Sequence, residues 1–377
     1  MKIGIDVRCL MVDNYSGISW YTFNLLNSLF VLDHDNEYIL FYNNSQSVNL
    51  PRFDYNNVRY AGFRYSNKIL NLMFVLFNWP KIDKMIGGVD VFFMPNINFS
   101  ALSGNCKKVV TVHDLSYLIY PQFSTLKSRF WHKILMAKKI IQQADGVIAV
   151  FSSTKNDLID LLKIEESKIK VIYEGVDHKF QIINNQVELD NVSKKYKLPD
   201  KFILYLGTLE PRKNIESIIE AYSKLKTDHY LVIGGATGWK TQRIMALVQK
   251  NDKIKKIGYV AEEDKRGLYN LADLFVYPSY YEGFGLPPVE AMACGTPVIA
   301  GSNSSQVEVI KNGGLLVDPY NINEITKAME IMLANKELRD EFITAGLKVA
   351  RDYQWDKTAK ETLEIFDNLD KEKTSPK

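Results

Sequence analysis

Short apolar segments alternate with amphipathic helical stretches twice along this chain, with a polar interval between the two runs, and that rhythm limits its fold more than any other feature. In the first half, strands are expected at Lys2 to Val7, Tyr38 to Tyr42, Val89 to Met94, Val109 to Val112, Val147 to Val150 and Ile169 to Tyr173. Helices are expected between them: Trp20, Phe23, Leu26, Leu29 and Phe30 recur near a period of 3.6 after Gly17, and further helical patterns cover Ser128 to Gln143 and Thr154 to Leu162. The second half gives strands at Phe202 to Leu206, Tyr230 to Gly234, Lys256 to Val260, Leu274 to Pro278, Pro297 to Ala300 and Gly314 to Val317. Helices such as Ile215 to Leu225 and Glu263 to Ala272 separate them. Strands alternating with helices imply parallel sheets covered on both faces. The expected architecture is therefore α/β: two Rossmann-like doubly wound domains facing each other across a cleft, because strand carboxyl ends form a ligand crevice. The boundaries read as a first domain over 1–180, a polar linker with a short irregular helix over 181–199, a second domain over 200–354, and a C-terminal helix in 355–377 expected to pack back on the first domain.

Length and composition agree with two globular domains: 377 residues, 46% hydrophobic and 24% charged. The net charge of +3, from 47 Lys and Arg against 44 Asp and Glu, gives no basis for a nucleic-acid partner. The 3 cysteines are far apart and odd in number, so they form no disulfide framework or zinc spacing and suit a reducing compartment. The N-terminus lacks the pattern of a signal peptide. The longest apolar stretch, Ile69 to Trp79, is about half of the roughly 20 residues needed to span a bilayer. A cytoplasmic protein, attached to the inner membrane face at most, is expected.

The segment from Tyr281 to Ala293 (YEGFGLPPVEAMA) follows a strand and precedes a helix. Pro287 and Pro288 suit the first helical turn. Gly283 and Gly285 let the backbone curl, presenting N–H groups in front of a helix start, an arrangement that attracts phosphate. Glu282 stands at the loop mouth and Glu290 eight positions on, read as the first helical turn. Carboxylates repel phosphate, so these acids suit sugar or ribose hydroxyls. The plainer reading, a solvated loop acid and a helix-dipole partner, has about even odds for either residue alone. Arg212 and Lys213, between the first strand and first helix of the second half, point toward the same strand-end crevice, where two cations can neutralise a leaving diphosphate. A solvated Arg-Lys pair is the ordinary alternative, weakened here by the acids on the same edge. His113 ends a first-half strand, where a histidine can bind sugar or work as acid or base, although a lone histidine is more often structural.

The stretch from Glu282 to Glu290 resembles the two-glutamate signature of glycosyltransferase family 4, retaining enzymes of the GT-B fold. The resemblance covers nearly the whole chain: Gly17, His113-Asp114, Glu174-Gly175-Val176-Asp177, Pro211-Arg212-Lys213-Asn214, and Ala291 through Val298. It implies that Glu282 contacts the donor sugar, Glu290 the ribose hydroxyls, and Arg212 and Lys213 the diphosphate. It also implies that backbone N–H groups of Phe284, Gly285 and Leu286 hold phosphate and sugar oxygens, that Gly17 admits the diphosphate, that His113 faces the transferred sugar, and that the base lies near Tyr259 and Val260. No divalent metal or other cofactor is implied. Thr208 stands where many members carry arginine, placing more of the phosphate binding on Arg212 and Lys213. The wording from Thr208 to Asn214, with Gly238-Trp239-Lys240, is most similar to bacterial mannosyltransferases of surface polysaccharide assembly, which implies GDP-mannose as donor and a glycan or lipid-linked oligosaccharide as acceptor.

Other classes fit less well. A nicotinamide-dependent oxidoreductase should show a glycine fingerprint after the first strand, and Asp6-Val7-Arg8-Cys9-Leu10 has none. A sugar-binding protein has no need of Arg212 and Lys213, whereas a UDP-sugar transferase, phosphorylase or epimerase of similar fold is a closer rival. Asp33-His34-Asp35 has an acid-x-acid metal spacing but reads as an exposed polar connection. Arg59, Arg64, Lys68, Lys81 and Lys84 flank Ile69 to Trp79, and Lys127, Arg129, Lys133, Lys138 and Lys139 accompany Phe130, Trp131 and Ile134. Such mixtures suit an anionic membrane surface; a buried core helix with solvated lysines accounts for them equally well.

Overall fold

The computed structural model describes residues 1–13, 15–123 and 135–374. The chain forms two compact units: Met1–Ile119, Leu126–Gly175 and Gln354–Lys377 make the first, Tyr120–Thr125 and Val176–Tyr353 the second.

The first unit holds β1 (Lys2–Asp6), β2 (Glu37–Asn43), β3 (Val58–Phe63), β4 (Val91–Met94), β5 (Lys107–Val112), β6 (Gly146–Ala149) and β7 (Ile169–Val171). They form a wholly parallel sheet in the order β3-β2-β1-β4-β5-β6-β7. The central strands are continuous buried runs, as a sheet covered on both faces requires. Strand β3 was not foreseen, because Val-Arg-Tyr-Ala-Gly-Phe sits at the sheet edge with Arg59 and Tyr60 exposed and gives no apolar run. Helix Gly17–Leu32 buries Tyr21, Leu25, Leu26, Leu29 and Phe30 at helical spacing. The C-terminal helix Trp355–Thr374 packs along it, with Phe366 against Phe93 at 5.4 Å between ring centroids. Gly175 makes room for its start: a Cβ there would lie 2.3 Å from the Trp355 nitrogen.

The interval 181–199 lies within the second unit rather than between the two, and the short helix expected in it is a regular one. The second unit begins at Val176, and helix Gln186–Tyr196 fills most of that interval. Asn185 caps it by accepting from the Val187 and Glu188 N–H groups. Lys195 and Tyr196 both donate to Asp264, at 2.5 and 2.7 Å, fastening it to helix Glu262–Leu271. Its polarity reflects a solvated outer face; Val192 is its one buried residue.

The second unit holds β8 (Phe202–Leu206), β9 (Tyr230–Gly234), β10 (Ile254–Gly258), β11 (Leu274–Tyr277), β12 (Val298–Gly301) and β13 (Leu315–Val317), parallel in the order β10-β9-β8-β11-β12-β13. The order reverses between β8 and β11, and ligands of doubly wound sheets bind at the carboxyl ends of such a switch point. A short strap from the first half of the sequence also belongs to this unit. Tyr120 meets Tyr281 at 5.5 Å and Phe123 stacks on Tyr280 at 5.4 Å, while Trp239 Nε1 donates to the Phe123 carbonyl and Lys240 Nζ to that of Gln122.

Helix Asn67–Phe77 turns Leu70 and Phe74 inward but leaves Ile69, Leu72, Leu76 and Phe77 from 57% to 70% exposed. The core-helix reading of this stretch therefore fails. Lys127, Arg129, Phe130, Trp131, Lys133 and Ile134 lie outside the described residues. Among the described residues, no helix is long and apolar enough to cross a membrane.

Candidate functional site

The residues following β8 and β11 meet at the switch point of the second unit. After β8, Pro211–Lys213 forms one tight turn, and Asn214 takes a left-handed conformation with φ 59° before helix Ile215–Lys224. Asn214 Nδ2 donates to the carbonyls of Pro278 (2.9 Å) and Pro319 (2.7 Å), and the Tyr280 N–H donates to the Arg212 carbonyl (2.9 Å). These bonds brace the β8 loop against the β11 loop.

Arg212, Lys213 and Glu282 converge there. Arg212 Nη1 donates to Glu282 Oε2 (3.0 Å) and to the Tyr281 carbonyl (2.6 Å), and its Nη2 to Glu210 Oε1 (2.8 Å). Lys213 Nζ reaches both Glu282 oxygens at 2.8 Å and the Tyr277 hydroxyl at 2.5 Å. The Glu282 backbone is fixed in turn, its N–H donating to Ser304 Oγ and its carbonyl accepting from Ser305 Oγ. The Glu282 side chain is only 5% exposed. Burial pushes its carboxyl upward, but the Arg212 and Lys213 charges prevail and hold it down at about 2. Burial lowers the Lys213 ammonium, and the Arg212 charge adds to that against the opposing pull of Glu282 and Glu210. Acid is therefore felt late here: this carboxylate's stabilising contribution is complete above the unfolded-chain range and is lost as pH falls through the folded value.

Helix Leu286–Ala293 starts from Gly285, whose φ of 87° needs glycine, with prolines in its first turn. Among the described residues, the N–H groups of Gly283, Gly285 and Leu286 meet no acceptor from the chain. Phe284 is buried with its ring edge-on to Tyr353 at 5.2 Å. Glu290 lies in the second turn of this helix, not the first, because the helix begins only at Leu286. It is 6% exposed and accepts from the Tyr269 hydroxyl at 2.7 Å. Burial raises its carboxyl despite the neighbouring Lys265 charge. Lys265 itself pairs with Glu262 at 2.5 Å. Val260 is buried two residues beyond β10, beside the exposed Tyr259.

The other two predicted residues belong to the first unit. His113, at the end of β5, has both ring nitrogens occupied: Nδ1 lies 3.2 Å from Glu174 Oε1 and Nε2 2.9 Å from the Pro95 carbonyl. Both partners are acceptors, so a neutral ring can donate to only one of them. The Tyr21 ring stands edge-on at 4.6 Å. Gly17 opens its helix exposed, and among the described residues no atom lies within 4 Å of an added Cβ, so none of them requires glycine there. Asp33 is not the exposed turn residue expected: it is buried and accepts from the Tyr38 hydroxyl, Asn36 Nδ2 and the Asp35 N–H.

Sequence reasoning gave no site role to Glu210, Tyr277 or Tyr269, nor to Glu174, which it singled out only as part of a motif. Glu210 is two residues before Arg212, so proximity could have found it. Tyr277 and Tyr269 look like ordinary core aromatics. Glu174 lies 61 residues from His113, beyond the reach of any local spacing.

Residues 15–180 match the family model described as Glycosyltransferase Family 4, and residues 188–349 match Glycosyl transferases group 1. O-antigen chain mannosyltransferase B of Escherichia coli is 30% identical over 268 residues, 69% of this chain and 70% of that protein. Serotype-specific mannosyltransferase WbdA of Escherichia coli is 31% identical over 273 residues, 70% of this chain but only 34% of that longer protein. Among solved structures, sucrose-phosphate synthase from Thermosynechococcus elongatus superposes with a TM-score of 0.77 at 21% identity, covering 98% of both chains. Anabaena HepE in complex with UDP and glucose gives 0.73 at 17% identity, over 98% of this chain and 100% of that one. At those identities the two likenesses establish the shared fold.

Proposed function

The chain belongs to glycosyltransferase family 4, and on that premise we propose that it transfers mannose from GDP-mannose, with retention, to a glycan or lipid-linked acceptor in cell-surface polysaccharide assembly. The observation that carries the donor assignment is the buried meeting of Arg212, Lys213 and Glu282 at the β8–β11 switch point. Arg212 and Lys213 stabilise the departing diphosphate, aided by the open N–H groups before helix Leu286–Ala293. Glu282 accepts from a hydroxyl of the transferred sugar and Glu290 from the ribose. The base lies near Tyr259 and Val260, Gly17 admits the diphosphate, and His113, held by Glu174, faces the sugar. The mannosyltransferase relatives support the choice of sugar. A UDP-sugar donor is the second reading, favoured by the UDP and glucose bound to Anabaena HepE.

A thermal-shift panel separates these readings, since a ligand that binds only the folded state raises its melting temperature. GDP-mannose should give the largest shift; a larger one from UDP-glucose would replace the mannose reading, and no shift from any nucleotide-sugar would end both. Glu290→Gln belongs in the same panel. Its nucleotide affinity should fall about 10-fold or more, the weight of one charge-assisted bond. The variant alone should melt no lower than wild type near neutral pH. A carboxyl raised in the fold loses stability as pH climbs from the unfolded-chain range, about 4.3, through the folded value, and glutamine removes that penalty.

Peripheral membrane contact forms part of the same proposal, supported by the exposed Ile69, Leu72, Leu76, Phe77 and Trp79 near the exposed Arg64, Lys68 and Lys84. The protein should sediment with anionic liposomes and not with neutral ones, and Leu72→Asp with Leu76→Asp should abolish the effect. Equal recovery from both vesicle types would remove the membrane role.

A further inference from the structure

The charges around the switch point cancel: Arg212 and Lys213 stand against Glu210 and Glu282. The two acids are placed differently. Glu210 touches Arg212 at Nη2 alone. Glu282 bridges the cations, meeting Arg212 through one oxygen and Lys213 through both. Its carboxylate thus sits where an anion held jointly by Arg212 and Lys213 must go, and two anions desolvated at one place repel. A diphosphate gains these cations only if Glu282 gives them up. A buried carboxylate can do so without penalty only where another donor receives it. The methylenes of Glu282 have room on one side, since a Cβ added to Gly285 would come no nearer than 3.8 Å to them.

We propose that Glu282 is the resident counter-ion of Arg212 and Lys213, and that it discriminates the intact nucleotide-sugar from the nucleoside diphosphate product. This rests on the nucleotide-sugar reading above. The donor carries both a diphosphate for the cations and a sugar hydroxyl for the released carboxylate, so the exchange leaves no charge unpartnered. Free nucleoside diphosphate offers only the first. Once the sugar has moved to the acceptor, the carboxylate loses its hydroxyl and returns to Arg212 and Lys213, displacing the product.

Calorimetric titration of wild type and Glu282→Gln with GDP, UDP and the matching nucleotide-sugars tests this. Glutamine keeps the shape and removes the competing charge. The variant should bind nucleoside diphosphate at least 10-fold more tightly than wild type while gaining nothing for nucleotide-sugar, so the ratio of the two dissociation constants shifts at least 10-fold. An unchanged ratio overturns the proposal and leaves the transferase reading standing. A companion measurement needs only wild type: saturating free mannose or glucose supplies the missing hydroxyl and should tighten the matching diphosphate at least 5-fold. Absence of that coupling also overturns it. Failure of wild type and variant alike to bind any nucleoside diphosphate or nucleotide-sugar would overturn the transferase reading together with this one.

Discussion

Lys213→Ala is expected to lower kcat by about 10²–10³-fold, the usual cost of removing one preorganised group that meets charge developing in the transition state. The Tyr277 hydroxyl anchors the ammonium at the strand end, and Glu282 holds it there until a diphosphate takes the carboxylate's place, so the charge is already in position when the diphosphate departs. The substitution also breaks a buried pair, which typically costs roughly 3–5 kcal/mol. Turnover must therefore be measured well below the variant's own melting transition, with secondary structure followed by circular dichroism. A folded variant with wild-type kcat and unchanged donor affinity would remove Lys213 from the leaving-group role. Lys213→Arg should recover little, because a planar fork does not replace a compact ammonium between two oxygens and a phenol.

The second large effect is structural. Gly235 adopts φ of 131°, and a Cβ there would stand 1.9 Å from the Gly207 carbonyl oxygen. Gly235→Ala is therefore expected to destabilise the second unit by about 3–5 kcal/mol, combining backbone strain with a clash against main chain that has no rotamer to yield. That corresponds to a drop of roughly 10 °C in Tm for a unit of this size. The Gly207 strand end leads directly into the turn carrying Arg212 and Lys213, so donor affinity should fall with stability. Calorimetry showing an unshifted transition would mean that the β8 and β9 ends yield freely, and that the site is less firmly set than its hydrogen bonds imply.

Most of the second unit was legible in the sequence because buried parallel strands give unbroken apolar runs, such as Phe202–Leu206 and Leu274–Tyr277. The edge strand Val58–Phe63 was not, and the helix Gln186–Tyr196 was read only as a short irregular one within a linker, since each shows solvent a polar face that local pattern separates poorly from a loop. Sequence placed Arg212, Lys213 and Glu282 on one strand-end edge, and the three do meet there. It could not foresee that Glu282 would close on both cations. That outcome follows from burial, where an unpaired carboxylate beside two cations has no better partner. His113 shows the same limit, since its ring nitrogens are taken by a glutamate and a carbonyl distant in sequence.

The strap Tyr120–Phe123 bears on how such proteins can be recombined. Residues 176–353 are continuous in sequence, yet the unit they form is completed by a strap from far upstream that carries Tyr120 and Phe123, and the first unit is completed by a helix from the far end of the chain. A chimera exchanging 176–353 alone would place foreign Trp239 and Tyr280 beneath the recipient's Tyr120 and Phe123. The second unit of this architecture is inherited as a patchwork, and transplanting it whole means moving the upstream strap along with the larger block.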